Sequence, residues 1–320
     1  MDSLINCRNQ QRIFLSLVIL LVLTSCTSKF AGDSDSLLNH LPQPKDKIIH
    51  FDNTTRISDF KIKHSAFKLK EIGNNLSGIT WDPYNNQYFA IQNNSAIIYR
   101  YDRDFNFLGK MKKKGRINND TEGVSFYEGL HLFVVTEANT AHKIKIDQNA
   151  FDKQYYYPLQ GYVLANRPKI KNKGFEGIAY RPKSEKRQAL VYVAQEGTGR
   201  DNKAKMKIYS FNPQVTSKFM KDMLYFGDKE LSVNEPFNAE KQFKGIISDI
   251  SGMTFDPTGE TLIIVSQESS KAIQVDPNTG RVLSQLPLSG APSYEGVTIG
   301  PSGELVFVSE KNWIQIYTTN

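Results

Sequence analysis

The chain has only two cysteines, Cys7 and Cys26, in 320 residues. Both lie near its start, so no disulfide framework can hold the rest together. A body of this size does not need one, because a single core of such length buries enough surface by itself. Histidine is also scarce. His40, His50, His64, His131 and His142 are scattered and show no metal-ligand spacing. No Gly-x-Ser-x-Gly elbow is present, which removes a common signal for a serine hydrolase. Gly197-Thr198-Gly199 is too short to cradle a phosphate. The apolar run Ile13 to Leu23 is about half of the roughly 20 residues that a spanning helix needs. Positive charge is not concentrated either. The net +7 is spread over turns such as Lys112-Lys113-Lys114 and the stretch Lys169 to Lys173. Nucleic acid is therefore not an expected partner, since it would want a dense basic stripe with interleaved aromatics.

The N-terminus carries a targeting pattern. Arg8 and Arg12 precede the apolar run, and Leu23-Thr24-Ser25-Cys26 follows it. This is similar to a bacterial lipoprotein signal, in which small residues suit the peptidase and the cysteine at the cut takes the lipid. Residues 1–25 read as the signal peptide and Cys26 as the lipidated residue, which would make the membrane a partner through that lipid. Thr27 stands where an Asp would retain an enterobacterial lipoprotein at the inner membrane. That favours the outer membrane, on its periplasmic or its surface face. Residues 26–47 are polar, with Asp33-Ser34-Asp35-Ser36 and Pro42-Gln43-Pro44, and read as a flexible tether. A folded body is expected over 48–320.

That body is written as a repeat. One phrase returns five times: Leu76-Ser77-Gly78-Ile79, Thr121-Glu122-Gly123-Val124, Phe175-Glu176-Gly177-Ile178, Ile250-Ser251-Gly252-Met253 and Tyr294-Glu295-Gly296-Val297. Each copy leads into an apolar run that ends in a polar pair: Gln92-Asn93, Thr136-Glu137, Gln195-Glu196, Gln267-Glu268 and Ser309-Glu310. The shorter spacings between repeat glycines, Gly78 to Gly123 and Gly252 to Gly296, match the roughly 40–50 residues of a four-stranded propeller blade. Turns such as Asp82-Pro83 and Asp256-Pro257, followed by Asn or Gly, separate the strands. The fold class is therefore all-β, a five-bladed β-propeller. Residues 211–245 read as an insertion, and a sixth, degenerate blade there is the alternative. The last repeat stops at a third strand, Trp313 to Tyr317. An alternating stretch near Phe60 to Leu69 can supply the fourth and remove an open sheet edge.

Two columns of polar residues follow from the repeat. Ser77, Glu122, Glu176, Ser251 and Glu295 belong to the strand that lines a propeller's channel. Glycine after each permits a close approach of strands, or a bulge that aims the side chain. Asn93, Glu137, Glu196, Glu268 and Glu310 end the next strand, at the same mouth. Convergent carboxylates without a counter-charge raise one another's pKa, and a hard divalent cation removes the conflict. Glu122, Glu176 and Glu295, with Glu137 and Glu196, are the expected metal ligands, and calcium is the expected ion. Gln92, Gln195 and Gln267 add neutral oxygens. Asn75, Asp120 and Asp249 are further candidates, with turn or cap roles equally open. The second column can equally tie blades together. Trp81 and Trp313 are read as core between blades.

These phrases resemble the SdiA-regulated (YjiK-like) family of bacterial envelope proteins. The Ser/Glu-Gly repeats, the Gln/Thr/Ser-Glu strand ends and the Asp-Pro turns carry the resemblance over Lys68 to Tyr317. It implies a five-bladed propeller, distantly similar to NHL-repeat proteins, with a calcium site and no established activity. It points to Glu122, Glu176 and Glu295 as the acidic first-strand positions, with Ser77 and Ser251 as departures. Two functions stay open. One is a lipid-anchored binding or scaffold propeller, taking an unknown small molecule or protein at the channel mouth. The other is a calcium-dependent hydrolase of phosphoesters, lactones or esters, with a channel carboxylate as base. Lys173 and Lys311 are the only cations next to those carboxylates in sequence.

Overall fold

The computed structural model describes residues 55–319, apart from 115–119, 157, 165–173, 198–204, 214–228 and 232. The signal peptide, Cys26, the tether, Lys173 and Gly199 lie outside the described residues.

Five sheets, antiparallel through the strands of each blade, follow one another along the chain, as the repeat predicts. Blade one is Leu76–Asp82, Gln87–Gln92, Ile97–Asp102 and Phe107–Lys113. Blade two is Thr121–Tyr127, His131–Thr136, Thr140–Lys145 and Pro158–Leu164. Blade three has three described strands, Phe175–Arg181, Leu190–Gln195 and Lys207–Phe211. Blade four is Gly252–Asp256, Thr261–Ser266, Lys271–Val275 and Val282–Pro287, and blade five is Tyr294–Ile299, Leu305–Ser309 and Trp313–Thr318. The first strand of each blade packs against the first strand of the next. The last of them, Tyr294–Ile299, returns to Leu76–Asp82, so the ring closes with five members.

The core lies between blades rather than at the centre. Five buried clusters each join two neighbouring sheets. Blades one and two, for example, bury Phe89 and Ile98 against Leu132 and Val134. Inner strands are covered on both faces, and Leu76–Asp82 is buried at every position. This explains why these strands are continuous apolar runs rather than alternating ones. The turns are fixed by their aspartates. Asp82 accepts the N–H groups of Tyr84 (2.9 Å) and Asn85 (3.2 Å), and Asp256 accepts those of Thr258 (3.0 Å) and Gly259 (2.9 Å).

The N-terminal segment closes blade five. Lys61 and Ile62 pair with Thr318 and Tyr317, and Phe67 and Lys68 pair with Ile314 and Trp313. The Asn312 amide seals the join by donating to the carbonyls of Leu69 (2.8 Å) and Ile72 (2.7 Å). Ahead of the strand, Ile57 and Phe60 fill the core between blades four and five. Ile57 has no exposed surface. Ile57→Ala is therefore expected to cost about 2–5 kcal/mol, read as a lower denaturant midpoint at unchanged slope.

The insertion forms no blade among its described residues. Lys229–Leu231 runs parallel to Pro158–Leu164 and extends the outer edge of blade two. Asn234 makes an isolated bridge to Ser210 on blade three, where a fourth strand would stand. A short helix, Ala239–Phe243, capped by Asn238, then buries Ala239 and Phe243 between blades three and four. No helix among the described residues is long and apolar enough to cross a membrane.

Candidate functional site

The repeat glycines are where the ring pinches. A Cβ on Gly78 would stand 2.9 Å from the Glu122 carbonyl oxygen of the next blade. The same holds for Gly123 against Glu176 (2.6 Å) and Gly296 against Ser77 (2.9 Å), and Gly252 meets the Glu295 carbonyl. Space, rather than backbone angle, is what demands glycine here. The strand pairing also slips at the residue before the glycine. It is irregular between Leu76 and Gly78, between Thr121 and Val124, between Phe175 and Gly177, and between Tyr294 and Gly296. These bulges turn Ser77, Glu122, Glu176 and Glu295 toward the axis.

The result is a cavity of ≈ 250 Å³ at one mouth of the axis. All five first-column residues line it, together with Asn93, Glu196 and Glu310 from the second column and Asn75, Asp249 and Gln267. Glu122, Glu176, Glu196, Asp249, Glu295 and Glu310 supply six carboxylates, and among the described residues no Lys, Arg or His lines the cavity. Beneath it the axis narrows to ≈ 10 Å³ between the glycines and Ile79, Val124, Ile178, Met253 and Val297. The acidic mouth is therefore a cup with a closed floor.

Burial and mutual repulsion set its electrostatics. Desolvation, then the charges of Asp120, Glu137 and Glu196, push Glu122 up to about 8, against the pull of a hydrogen bond from Ser77. Desolvation and Glu310, Glu122, Asp249 and Glu196 push Glu295 up to about 9. Glu176 is raised well above the usual carboxylate range by burial and then by Glu122, Glu196, Glu137 and Glu295. Without a cation the group holds protons that carboxylates ordinarily give up.

Of the five expected ligands, four line the cavity and Glu137 alone does not. Glu137 stands behind Glu122, in a group with Asp120 whose oxygens all lie within 4.8 Å of one another. Glu196 faces the cavity together with Glu122, Glu176 and Glu295. The second column also ties blades together, since the Asn93 amide donates to Glu122 across the blade boundary (2.6 Å). Asp249 does both jobs. It lines the cavity, and it caps the turn by accepting from the Ser266 hydroxyl and the N–H groups of Gln267 and Glu268. Ser251 is turned to structure, donating to the Tyr294 carbonyl of the next blade (2.8 Å).

Gln92 and Gln195 do not serve the cavity. Each accepts a tyrosine hydroxyl from its own blade, Tyr99 at 2.7 Å and Tyr209 at 3.3 Å. Only Gln267 of the three glutamines faces it. Trp81 is buried core beside Tyr88, whereas Trp313 is only half-buried, with the Lys68 ammonium 4.9 Å from its ring.

One repeated feature has no counterpart in the sequence reading. Two residues after the repeat glycine stand Thr80, Ser125, Ala179, Thr254 and Thr298. The Thr80 hydroxyl accepts the Phe126 N–H (2.8 Å), Ser125 that of Tyr180 (3.1 Å) and Thr298 that of Trp81 (3.1 Å). Each bond joins one blade's inner strand to the next. Small hydroxyls at a fixed offset were the available signal.

The family model described as SdiA-regulated matches residues 52–198 and 234–319. The unmatched stretch coincides with most of the insertion after blade three. Among solved structures, the crystal structure of Myxococcus xanthus glutaminyl cyclase aligns with a TM-score of 0.51 at 10% identity. The alignment covers 81% of this chain and 95% of that one, and at this identity it speaks to the fold alone. With a family model matched across most of its length and the propeller in place, the chain belongs to the SdiA-regulated family.

Proposed function

We propose that this is a lipid-anchored envelope propeller that holds a divalent cation, calcium by its donors, at the acidic mouth and binds an oxygen-rich ligand through it. One observation carries the reading: six carboxylates surround a single cup, with no basic residue among the described residues of its lining. The oxygen donors of the described lining suit a hard cation better than zinc or copper. Glu122, Glu176, Glu196 and Glu295 would hold the ion, with Glu137 and Asp120 behind Glu122. The cup exceeds what one ion fills, since a water's share of liquid volume is about 30 Å³. That room supports a ligand or substrate beside the ion. It also keeps the calcium-dependent hydrolase as the second reading, in which the ion would polarise a carbonyl or phosphoryl oxygen and a neighbouring carboxylate would take a proton from water.

Calorimetric titration of the chelator-treated protein tests the ion. One calcium site is expected, at least about tenfold tighter than for magnesium, because the cup's many oxygens suit a larger, flexible shell. Absence of calcium binding at millimolar concentration would overturn it. Hydrolysis of ester and phosphoester substrates with and without calcium separates the two readings. For the anchor, the Leu23-Thr24-Ser25-Cys26 pattern supports lipidation, and Cys26→Ala is expected to move the protein from the membrane fraction to the soluble one.

A further inference from the structure

The opposite mouth of the axis holds a second cavity of ≈ 310 Å³. Its lining follows from the repeat. Three residues after each repeat glycine stand Trp81, Phe126, Tyr180, Phe255 and Ile299, and all five face it. Tyr84 adds a further ring on the blade-one turn, 5.6 Å from Phe126. Pro83, Pro182 and Pro257 from the hairpin turns form the rim, so the turn chemistry also shapes the opening. The inner-strand hydroxyls lie on the wall, and those of Thr80, Ser125 and Thr298 are occupied in holding the blades together.

Among the described residues, Glu128 is the one charged side chain in that lining. The Tyr180 hydroxyl donates to it, which orients that ring as part of the wall. The same charge raises the pKa of Tyr84, Tyr127 and Tyr180, after burial, so their hydroxyls stay neutral. The nearby ammonium of Lys143 sits over the Tyr127 ring (4.5 Å), and neither residue lines the cavity. Aromatic faces attract cations, and a carboxylate among them adds to the attraction. The volume lies at the lower edge of small-ligand sites.

We propose that the aromatic mouth is a binding site for a small organic cation, an amine or quaternary ammonium on an apolar body, with the rings holding the body and Glu128 facing the charge. The closed floor beneath the acidic cup separates the two sites. The assignment is therefore independent of the proposed ion.

The two tryptophans provide the measurement. Trp313→Phe leaves Trp81, on the cavity wall, as the single reporter. The full-length chain in nonionic detergent is titrated with benzyltrimethylammonium, with benzyl alcohol and with phenylacetate. Saturable change in Trp81 emission is expected for the ammonium at about tenfold lower concentration than for the neutral probe, with phenylacetate weakest. In this background Glu128→Gln should remove most of that preference, and Tyr84→Leu should weaken ammonium binding about threefold or more. Tyr84 sits half-buried on a turn, so its variant keeps the test alive should Glu128→Gln unfold. Lys61→Gln, exposed on the outer strand of blade five and outside both cavities, should leave the titration unchanged. No saturation by about 10 mM ammonium, equal response to all three probes, or a preference that survives Glu128→Gln would overturn the assignment.

Discussion

Glu176→Gln raises the melting temperature in chelator and abolishes the gain that calcium gives to the unaltered protein. The expectation follows from where Glu176 stands. Glu122, Glu196, Glu137 and Glu295 all act on it, and all carry the same sign. At pH 8, replacing this carboxyl by an amide of the same shape removes the cost of holding a proton that the unfolded chain gives up, of the order of 2 kcal/mol, without opening a void. For a domain of this size that is about 4–8 °C. The unaltered protein behaves in the opposite way. Calcium at about 100 times its dissociation constant adds about 2.7 kcal/mol, which the amide variant should no longer gain. The pH dependence has a definite sign. Glu122 and Glu295 titrate near 8 and 9 when folded, against an ordinary 4.5. Between those values the folded state holds more protons than the unfolded one, so cation-free stability falls as pH rises from about 4.5 to about 9. Calcium displaces those protons, so its apparent affinity rises over the same interval. Thermal melts in chelator and in calcium, at pH 5 and pH 8, read all of this. A variant less stable than the parent in chelator, or one that keeps the calcium gain, would refute the shared-cation account.

Gly252→Ala is expected to lower stability by about 3 kcal/mol or more, where glycine-to-alanine changes otherwise tend to stabilise. The added carbon would meet the Glu295 carbonyl and the Gly296 backbone of blade five, neither of which can move without opening the ring. Gly73→Ala is the matched control, since a Cβ there meets nothing within 4 Å. Denaturant midpoints of the two variants should separate widely. Equal midpoints would mean that the ring gives way cheaply and that the glycines answer to something other than closure.

The five-fold architecture was legible because the repeat spells each blade in the same order, down to the Asp-Pro turns and the borrowed strand near Phe60. The location of the acidic mouth was legible for the same reason. Side-chain direction at the strand ends was not. Gln92 and Gln195 read like ligands beside Asn93 and Glu196, but tyrosines on the adjacent strand, Tyr99 and Tyr209, turn them inward. That choice depends on a cross-strand partner whose register no local phrase states. The path of the insertion was hidden too, since among the described residues Lys229–Leu231 pairs with blade two and not with the blade it follows. The aromatic mouth is spelled in four of the five repeats, by Trp81, Phe126, Tyr180 and Phe255 three residues after the glycine, with Ile299 in the fifth. A row of rings at that offset reads equally well as core.

Closure by the N-terminal strand also sets a timetable for folding. The Gln315 amide bonds the His64 carbonyl across 251 positions of sequence. During synthesis the stretch around Ile57 to Lys68 emerges before the five blades, yet its partners, Trp313–Thr318, belong to the fifth. The early strand has no native partner until blade five is made. Contacts so distant in sequence are slow to form. The waiting strand is also open to capture by the wrong neighbour. Closure of the ring is thereby tied to the last step of blade assembly, when the strand near Phe60 meets Trp313–Thr318.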